Sequence, residues 1–269
     1  MNITFKNLIE KILPNKIHLF IRYNWLRLRG NLDNEMFYVA RLNKGSGRFL
    51  DIGSNVGIWS YFMRNKFSKI DSFEPLSELT YRLTSLGLNH IKVNHMALSN
   101  TESELKFYIP IVDGTTEPSL ASLEKRPGKC EERFVAVNTL DSFEFDDVEL
   151  IKIDVEGHEK SVILGAIDTL KRCQPILVVE IEQRHIDCNI NDIFNTILNL
   201  NYSGFFLTSS GIAPLNDFSY EFHQKPYIEN PTDKAYINNF IFTPNPGDIK
   251  STLNEEILDN SKLKTLLNN

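Results

Sequence analysis

The sequence predicts an α/β fold built on a mainly parallel sheet. Three observations carry that prediction. Short β-branched or aromatic runs alternate with longer stretches of helical period, a glycine turn follows the first of those runs, and acidic and imidazole side chains gather where two later runs end.

At 269 residues the chain can bury one large α/β core with appendages. An apolar fraction of 42% and a charged fraction of 24% suit a folded soluble body and argue against extended disorder and a spanning membrane segment. The formal charge of −6 removes the electrostatic case for nucleic acid as a general partner. Cys130, Cys173 and Cys188 cannot all pair within one chain and lack zinc-knuckle spacing, which fits a reducing cytoplasm.

Residues 1–44 read as a basic amphipathic helical extension. Lys6, Lys11, Lys16, Arg22, Arg27 and Arg29 are opposed up to Gly30 only by Glu10, and they are interleaved with Phe5, Leu8, Ile9, Ile12, Leu19, Phe20 and Trp25. Such a segment either packs on the domain as a flap with its charges in water or rests on the anionic inner face of a membrane. It has neither the uninterrupted apolar core nor the small-residue cleavage site of a secretion signal.

The catalytic domain is expected over 45–247. Strands are expected at Arg48–Ile52, Lys69–Phe73, Ile91–His95, Leu150–Ile153 and Ile176–Ile181, with helices following Gly57, Leu76 and Glu159. In the last of these, Val162, Ile163, Ala166, Ile167 and Leu170 form one apolar stripe at spacings of three and four. Leu105–Pro110 and Arg133–Val137 read as extra strands. The intervening 113–132 segment, rich in Gly, Pro, Ser, Thr and charge, is a candidate lid loop. After Asn189 come another helix and final strands at Ser203–Thr208 and Tyr236–Phe242. Tyr202, Phe205, Phe206, Phe218, Tyr220, Phe222 and Tyr227 crowd the stretch before the last strand, as core packing or as a platform for a sugar ring. A C-terminal helical tail is expected over 248–269.

The run FLDIGSNVGIWS is a buried strand, a glycine turn and a helix start. Ligands of open α/β sheets sit beyond the carboxyl ends of the strands, and Gly53 and Gly57 let the backbone approach one there. A dinucleotide site needs glycine at the first, third and sixth positions. Counted from Gly53 the third is Asn55 and the sixth is Ile58, so that pattern fails. Asp51 before a turn of this kind suits a ligand with an ammonium group and no phosphates, such as the methionine part of S-adenosylmethionine. Glu74 lies 23 residues after Asp51, in FEP at the end of the next strand, where a carboxylate can accept from both ribose hydroxyls. Pro75 follows it directly. Asn94 or His95, then Ala97 and Leu98, are candidates to line the adenine.

The fourth strand runs into IKIDVEGHE, which brings Asp154, Glu156, His158 and Glu159 to the sheet edge. The fifth ends in VVEIEQRH, with Glu180, Glu182 and then His185. Through FLDIGSNVGIWS, FEP, NTLDSF, IKIDVEGHE, VVEIEQRH and NNFIFTP, from about Phe49 to Phe242, the sequence resembles the FkbM-type methyltransferases. That resemblance implies a class I, Rossmann-like fold with a seven-stranded mixed sheet, the last strand antiparallel, and helices on both faces. It also implies methyl transfer, usually to a hydroxyl, in the building or decoration of polysaccharides, glycolipids or natural products.

The candidate catalytic residues are Asp154, His185, Glu180, His158 and Glu156; the candidate cofactor residues are Asp51, Gly53, Asn55, Gly57, Glu74, Pro75 and Ala97. A hydroxyl is a poor nucleophile until its proton is leaving, so a base is expected, with His185 or His158 suited to neutral pH. Asp154 is a rival base, a residue that orients the substrate, or a partner of Glu180 and a histidine around a divalent cation such as magnesium or calcium. His158 and Glu159 also have a structural reading at the first turn of their helix. The acceptor expected is a carbohydrate or glycoconjugate. N-methylation, a small-metabolite acceptor, an inactive binding module and an NAD-dependent oxidoreductase are the alternatives, and self-association is compatible with all of them.

Overall fold

A computed structural model describes residues 15–43, 45–247 and 249, with side chains from Ile17 onward. Two helices come first, α1 (Asn15–Arg29) and α2 (Asn34–Leu42). The alternating part follows with β1 (Arg48–Ile52), α3 (Ile58–Met63), β2 (Lys69–Phe73), α4 (Ser77–Thr84) and β3 (Ile91–Asn94). Next come β4 (Ala97–Leu98), β5 (Ser103–Val112), β6 (Thr115–Thr116) and β7 (Cys130–Asn138). The second half holds β8 (Val148–Ile153), α5 (Glu159–Leu164), α6 (Ile167–Cys173), β9 (Ile176–Glu180), α7 (Ile190–Leu198), β10 (Ser203–Thr208), β11 (Gly211–Pro214), α8 (Tyr220–His223) and β12 (Asn239–Thr243).

The main sheet runs β3-β2-β1-β8-β9-β12-β10-β11. β3, β2, β1, β8 and β9 are mutually parallel, and β12 is antiparallel to both β9 and β10. The sheet is mixed, with its last strand in sequence, β12, antiparallel, as the resemblance implies, but it has eight strands among the described residues rather than seven. The eighth, β11, pairs with β10 as a hairpin through Ser209 and Ser210 and was not expected.

Alternation along each strand distributes its side chains to two cores. Leu50, Ile52, Ile151, Ile153, Leu177, Val179, Phe240 and Phe242 face a core completed by Val162, Ile163 and Leu170 of α5 and α6 and by Ile193, Phe194 and Ile197 of α7. Phe49, Ile70, Leu150, Val178 and Ile241 face the other side, against Met36 and Val39 of α2 and Trp59 and Met63 of α3. The described part of the N-terminal extension is therefore packed on the domain. α1 joins it through Leu19, fully buried with Tyr61 and Leu83, and through Tyr23, whose ring lies 5.3 Å from that of Tyr61.

The apolar stripe after Glu159 is two helices rather than one. The break falls at Gly165, whose carbonyl accepts from the Asp141 amide, and a Cβ there would lie 1.9 Å from the Ser99 carbonyl oxygen. Val162, Ile163, Ala166 and Leu170 are buried as the stripe requires, and Ile167 is half-buried.

Between β3 and β8 the chain builds a second sheet, β4-β7-β5-β6, with β5 and β7 antiparallel from Ser103↔Val137 to Pro110↔Cys130. Part of the expected lid belongs to it. Asp113 and Gly114 both have positive φ, as a two-residue hairpin turn into β6 requires, and the end of the segment is already β7. The part that lies over the domain edge is 117–129. Of the aromatic residues before the last strand, Phe206 and Phe218 pack with Phe194 and Phe240 in the core, while Phe222 is exposed. The tail expected over 248–269 lies outside the described residues apart from Ile249.

Candidate active site

The glycine turn is fixed by its neighbouring strands. Gly53 and Ser54 donate their amides to the Phe73 carbonyl at the end of β2, and the Asp154 amide donates to the Ile52 carbonyl. Gly53 has φ +76°, and a Cβ there would lie 1.7 Å from the Asp154 carbonyl oxygen, so only glycine lets the ends of β1 and β8 meet. Gly57, at φ +83°, starts α3 with Leu83 packed against its Cα. Asp51 is buried, and its Oδ2 accepts from the Ser60 amide (3.0 Å) and hydroxyl (2.6 Å). One of its oxygens thus braces the turn. Burial pushes its pKa up to about 6, against the hydrogen bonds from Ser60.

Two cavities open on this edge and share Gly53, Asn55 and Asp154. The first is a cleft with about 560 Å³ of space, part of it open to solvent. Glu74, Pro75, Ala97 and Leu98 line it, together with Ser119, Ala121 and Leu123 of the 117–129 segment. Glu74 is buried and accepts from the amides of Asn55 (3.1 Å) and Leu76 (3.0 Å). Burial raises its pKa to about 7 despite those bonds. Asn94 is used within the sheet, bonded to Asp71 and Ser72, and His95 faces Thr80.

The 117–129 segment is tied down over this cavity. Ser122 exchanges backbone hydrogen bonds with Tyr108 and donates its hydroxyl to the Val155 carbonyl, and Arg126 donates to the carbonyl and carboxylate of Glu156. Glu124 contacts His158 Nδ1 at 2.6 Å, and His158 Nε2 meets Ser99 Oγ at 2.8 Å.

The second cavity, with about 640 Å³ of open space, lies on the other side of the turn. Asp51, Trp59, Lys152 and Asp154 line it together with Arg22, Leu26, Asn31, Leu32, Asp33 and Met36 of the N-terminal helices.

The candidate catalytic residues separate. Asp154 borders both cavities with about a third of its side chain exposed. Glu180 stands beside it and accepts from Asn238 Nδ2 at 2.8 Å. Burial raises the pKa of both carboxyls, repulsion between them adds to the rise of Glu180, and Lys152 opposes it in both. Glu156 sits in the left-handed region at φ +58°, followed by Gly157, whose Cβ would lie 2.4 Å from the His185 carbonyl oxygen. Burial and the neighbouring Asp154 push Glu156 up to about 7.

His185 is held away from both cavities, with Nδ1 3.3 Å from Glu156 and Nε2 3.9 Å from Glu182. Desolvation lowers its pKa to about 4, so the ring is neutral at pH 7. His158 borders the first cavity but has both ring nitrogens engaged by Ser99 and Glu124, in keeping with its structural reading. Glu159 is buried at the start of α5 and accepts from the Gly157 amide at 2.9 Å.

Among the described residues, no group of three or more His, Cys, Asp or Glu side chains is placed to hold a metal ion. Where a divalent cation was one alternative beside Asp154 and Glu180, the Lys152 ammonium stands 4.0 Å from the first and 3.5 Å from the second. That lysine, Trp59 and Asp33 were not singled out in the sequence. A lysine within the otherwise apolar strand run LIKI is the signal that points to it. Among the described residues no helix is long and apolar enough to cross a membrane.

Comparison with known proteins agrees with this edge. The model of the FkbM methyltransferase domain matches residues 51–203, from Asp51 of the turn to the first residue of β10. No curated protein matches the chain. Among solved structures, the FkbM methyltransferase of Methylobacillus flagellatus is similar at 17% identity and a TM-score of 0.47, covering 74% of this chain, which spans 44% of its length. An rRNA methylase of Streptococcus thermophilus is similar at 11% identity and a TM-score of 0.42, covering 77% of this chain and 91% of its own. A Streptococcus mutans protein solved in complex with SAH is similar at 9% identity and a TM-score of 0.42, covering 78% of this chain and 95% of its own. The family match takes in the glycine turn, Glu74, Asp154 and Glu180, and the chain belongs to the FkbM family of S-adenosylmethionine-dependent methyltransferases.

Proposed function

We propose that the chain transfers a methyl group from S-adenosylmethionine to a hydroxyl of a carbohydrate in a polysaccharide, glycolipid or related glycoconjugate, with Asp154 as the proton acceptor. The observation that carries this reading is that Asp154 borders both cavities at their junction. The residues fit the cofactor. Glu74 is the carboxylate for the ribose hydroxyls, Pro75, Ala97 and Leu98 are the apolar surface for the base, and Gly53 and Asn55 of the turn border the same cavity. When bound there, the cofactor supplies an electrophilic methyl group.

Asp154 then accepts the hydroxyl proton as the acceptor oxygen attacks, a contribution of about 100-fold to 10,000-fold. Alignment supplies a larger share, about 7 to 11 kcal/mol. The second cavity suits a polyol, because Asn31, Asp33 and Asn55 offer hydrogen-bonding groups beside the apolar Leu26, Leu32 and Met36. A membrane-anchored glycan acceptor is supported by α1, which exposes Ile17, Phe20 and Leu28 near Arg27 and Arg29.

The test is transfer of labelled methyl from S-adenosylmethionine to a panel of oligosaccharides, with and without Asp154→Asn and His185→Ala. The reading expects Asp154→Asn to lose at least about 100-fold at saturating cofactor and His185→Ala to lose less than about tenfold. Transfer to amines alone would overturn the hydroxyl acceptor. Full activity of Asp154→Asn would overturn the base.

A further inference from the structure

Among the described residues, Lys152 is the largest charged side chain that is fully buried, with 1% of its surface exposed. Its ammonium donates to Asn239 Oδ1 at 2.7 Å, stands 3.5 Å from Glu180 and 4.0 Å from Asp154, and lies 5.5 Å from the centre of the Trp59 ring. Trp59 is held in turn by its indole N–H, which donates to Asp33 Oδ2 at 2.7 Å. The cage draws on β8, β12, α3 and the N-terminal segment. A buried ammonium is costly without a task, and neighbouring apolar strand positions show that the sheet needs no charge here to pack.

We propose that Lys152 is a positioning residue for methyl transfer: its ammonium keeps Asp154 ionised beside Glu180, ready to accept the proton of the acceptor hydroxyl, and Trp59 of α3, itself held by Asp33 of the N-terminal flap, keeps that ammonium in place. The inference rests on the methyl-transfer reading above. In the step it serves, the acceptor oxygen forms a bond to the methyl carbon as the carbon–sulfur bond breaks. The bonding pair goes to sulfur, which becomes neutral, and the hydroxyl proton goes to the Asp154 carboxylate.

The charge balance around the pair shows why a cation is needed. Asp33 and Glu35 face it from the N-terminal helices, Asp51 from β1, Glu156 from the turn after β8 and Glu182 from the end of β9. Arg126 reaches Glu156 from the 117–129 segment, and Arg22 borders the second cavity. These carboxylates outnumber the cations even with Lys152 in place, and without it Asp154 would hold its proton to higher pH. Asp33 also belongs to the flap, which precedes the matched family region, so this part of the centre is contributed by the chain's own extension.

The test needs no acceptor. Carboxyl carbon NMR of the full chain labelled at Asp and Glu, with the Asp154 signal assigned through Asp154→Asn, follows its titration in the wild type, Lys152→Met, Lys152→Gln and Lys152→Arg. Lys152→Met is expected to raise the Asp154 midpoint by about one pH unit or more, and Lys152→Arg to return it toward the wild type. Lys152→Gln, which removes the charge and keeps a polar head near Asn239, is expected to raise it likewise, and this variant decides the matter if Lys152→Met does not fold. An Asp154 midpoint that stays put in the folded charge-removing variant overturns the proposal. Calorimetry with S-adenosylmethionine on the same samples separates the two layers: no binding by the wild type refutes the methyl-transfer reading, whatever the titration gives.

Discussion

In the proposed reading, cofactor recognition turns on Glu74. Its carboxylate is held by the amides of Asn55 and Leu76 in a buried position beside the first cavity, where the proposed reading adds the ribose hydroxyls as further donors. Replacement by Gln, which loses the charge and reverses one of the contacts, should weaken S-adenosylmethionine binding by about 10- to 100-fold in calorimetry. Unchanged affinity would show that the nucleoside lies elsewhere. Glu74 was legible in the sequence because strand, turn and next strand end fix its position. The division of labour among Asp154, His158 and His185 was not legible, since all three follow strands and only tertiary packing decides that Ser99 and Glu124 occupy one imidazole and Glu156 and Glu182 flank the other.

At the scale of elements, the structure depends on strand ends that touch through glycine. Gly53→Ala would force a Cβ onto the Asp154 carbonyl at a positive φ, and it should cost about 2 kcal/mol or more in denaturant unfolding together with loss of cofactor binding. A variant as stable as the wild type would contradict the close approach of β1 and β8. The flap makes a second prediction. Leu19→Ala removes the fully buried anchor of α1 from its cluster with Tyr61 and Leu83, and it should lower stability by about 2 to 5 kcal/mol in a single unfolding transition. No change would mean that α1 is not part of the cooperative unit.

The parallel strands were legible because they are buried on both faces and read as apolar runs. β11, β4 and β6 are two to four residues long and carry no such pattern. The Asp113–Gly114 turn, by contrast, was a hairpin signal in plain view inside the segment expected to be a lid.

For the whole molecule, buried acids set the response to pH. Burial raises Glu35, Glu74, Glu156 and Glu159 to about 7 and Asp51 to about 6. Between the ordinary carboxylate range and pH 7 the folded chain therefore holds protons at these groups that the unfolded chain has released, so their contribution to stability falls as pH rises through that window. His185, lowered to about 4, acts in the opposite sense between 4 and 6.5, but it is one group against five. Thermal unfolding without ligand should therefore have a lower midpoint at pH 7.5 than at pH 5.5, and a higher midpoint at pH 7.5 would contradict the burial of these carboxyls.

The same edge that gathers these acids is read as the cofactor site, and the missing glycine at Asn55 separates a sulfonium nucleoside from a dinucleotide. The direct measurement is calorimetry of the full chain with S-adenosylmethionine, S-adenosylhomocysteine and NAD. The expected result is saturable binding of both sulfur nucleosides, lost in Glu74→Gln at the same concentrations, with none for NAD. Binding of NAD without binding of either sulfur nucleoside would contradict it.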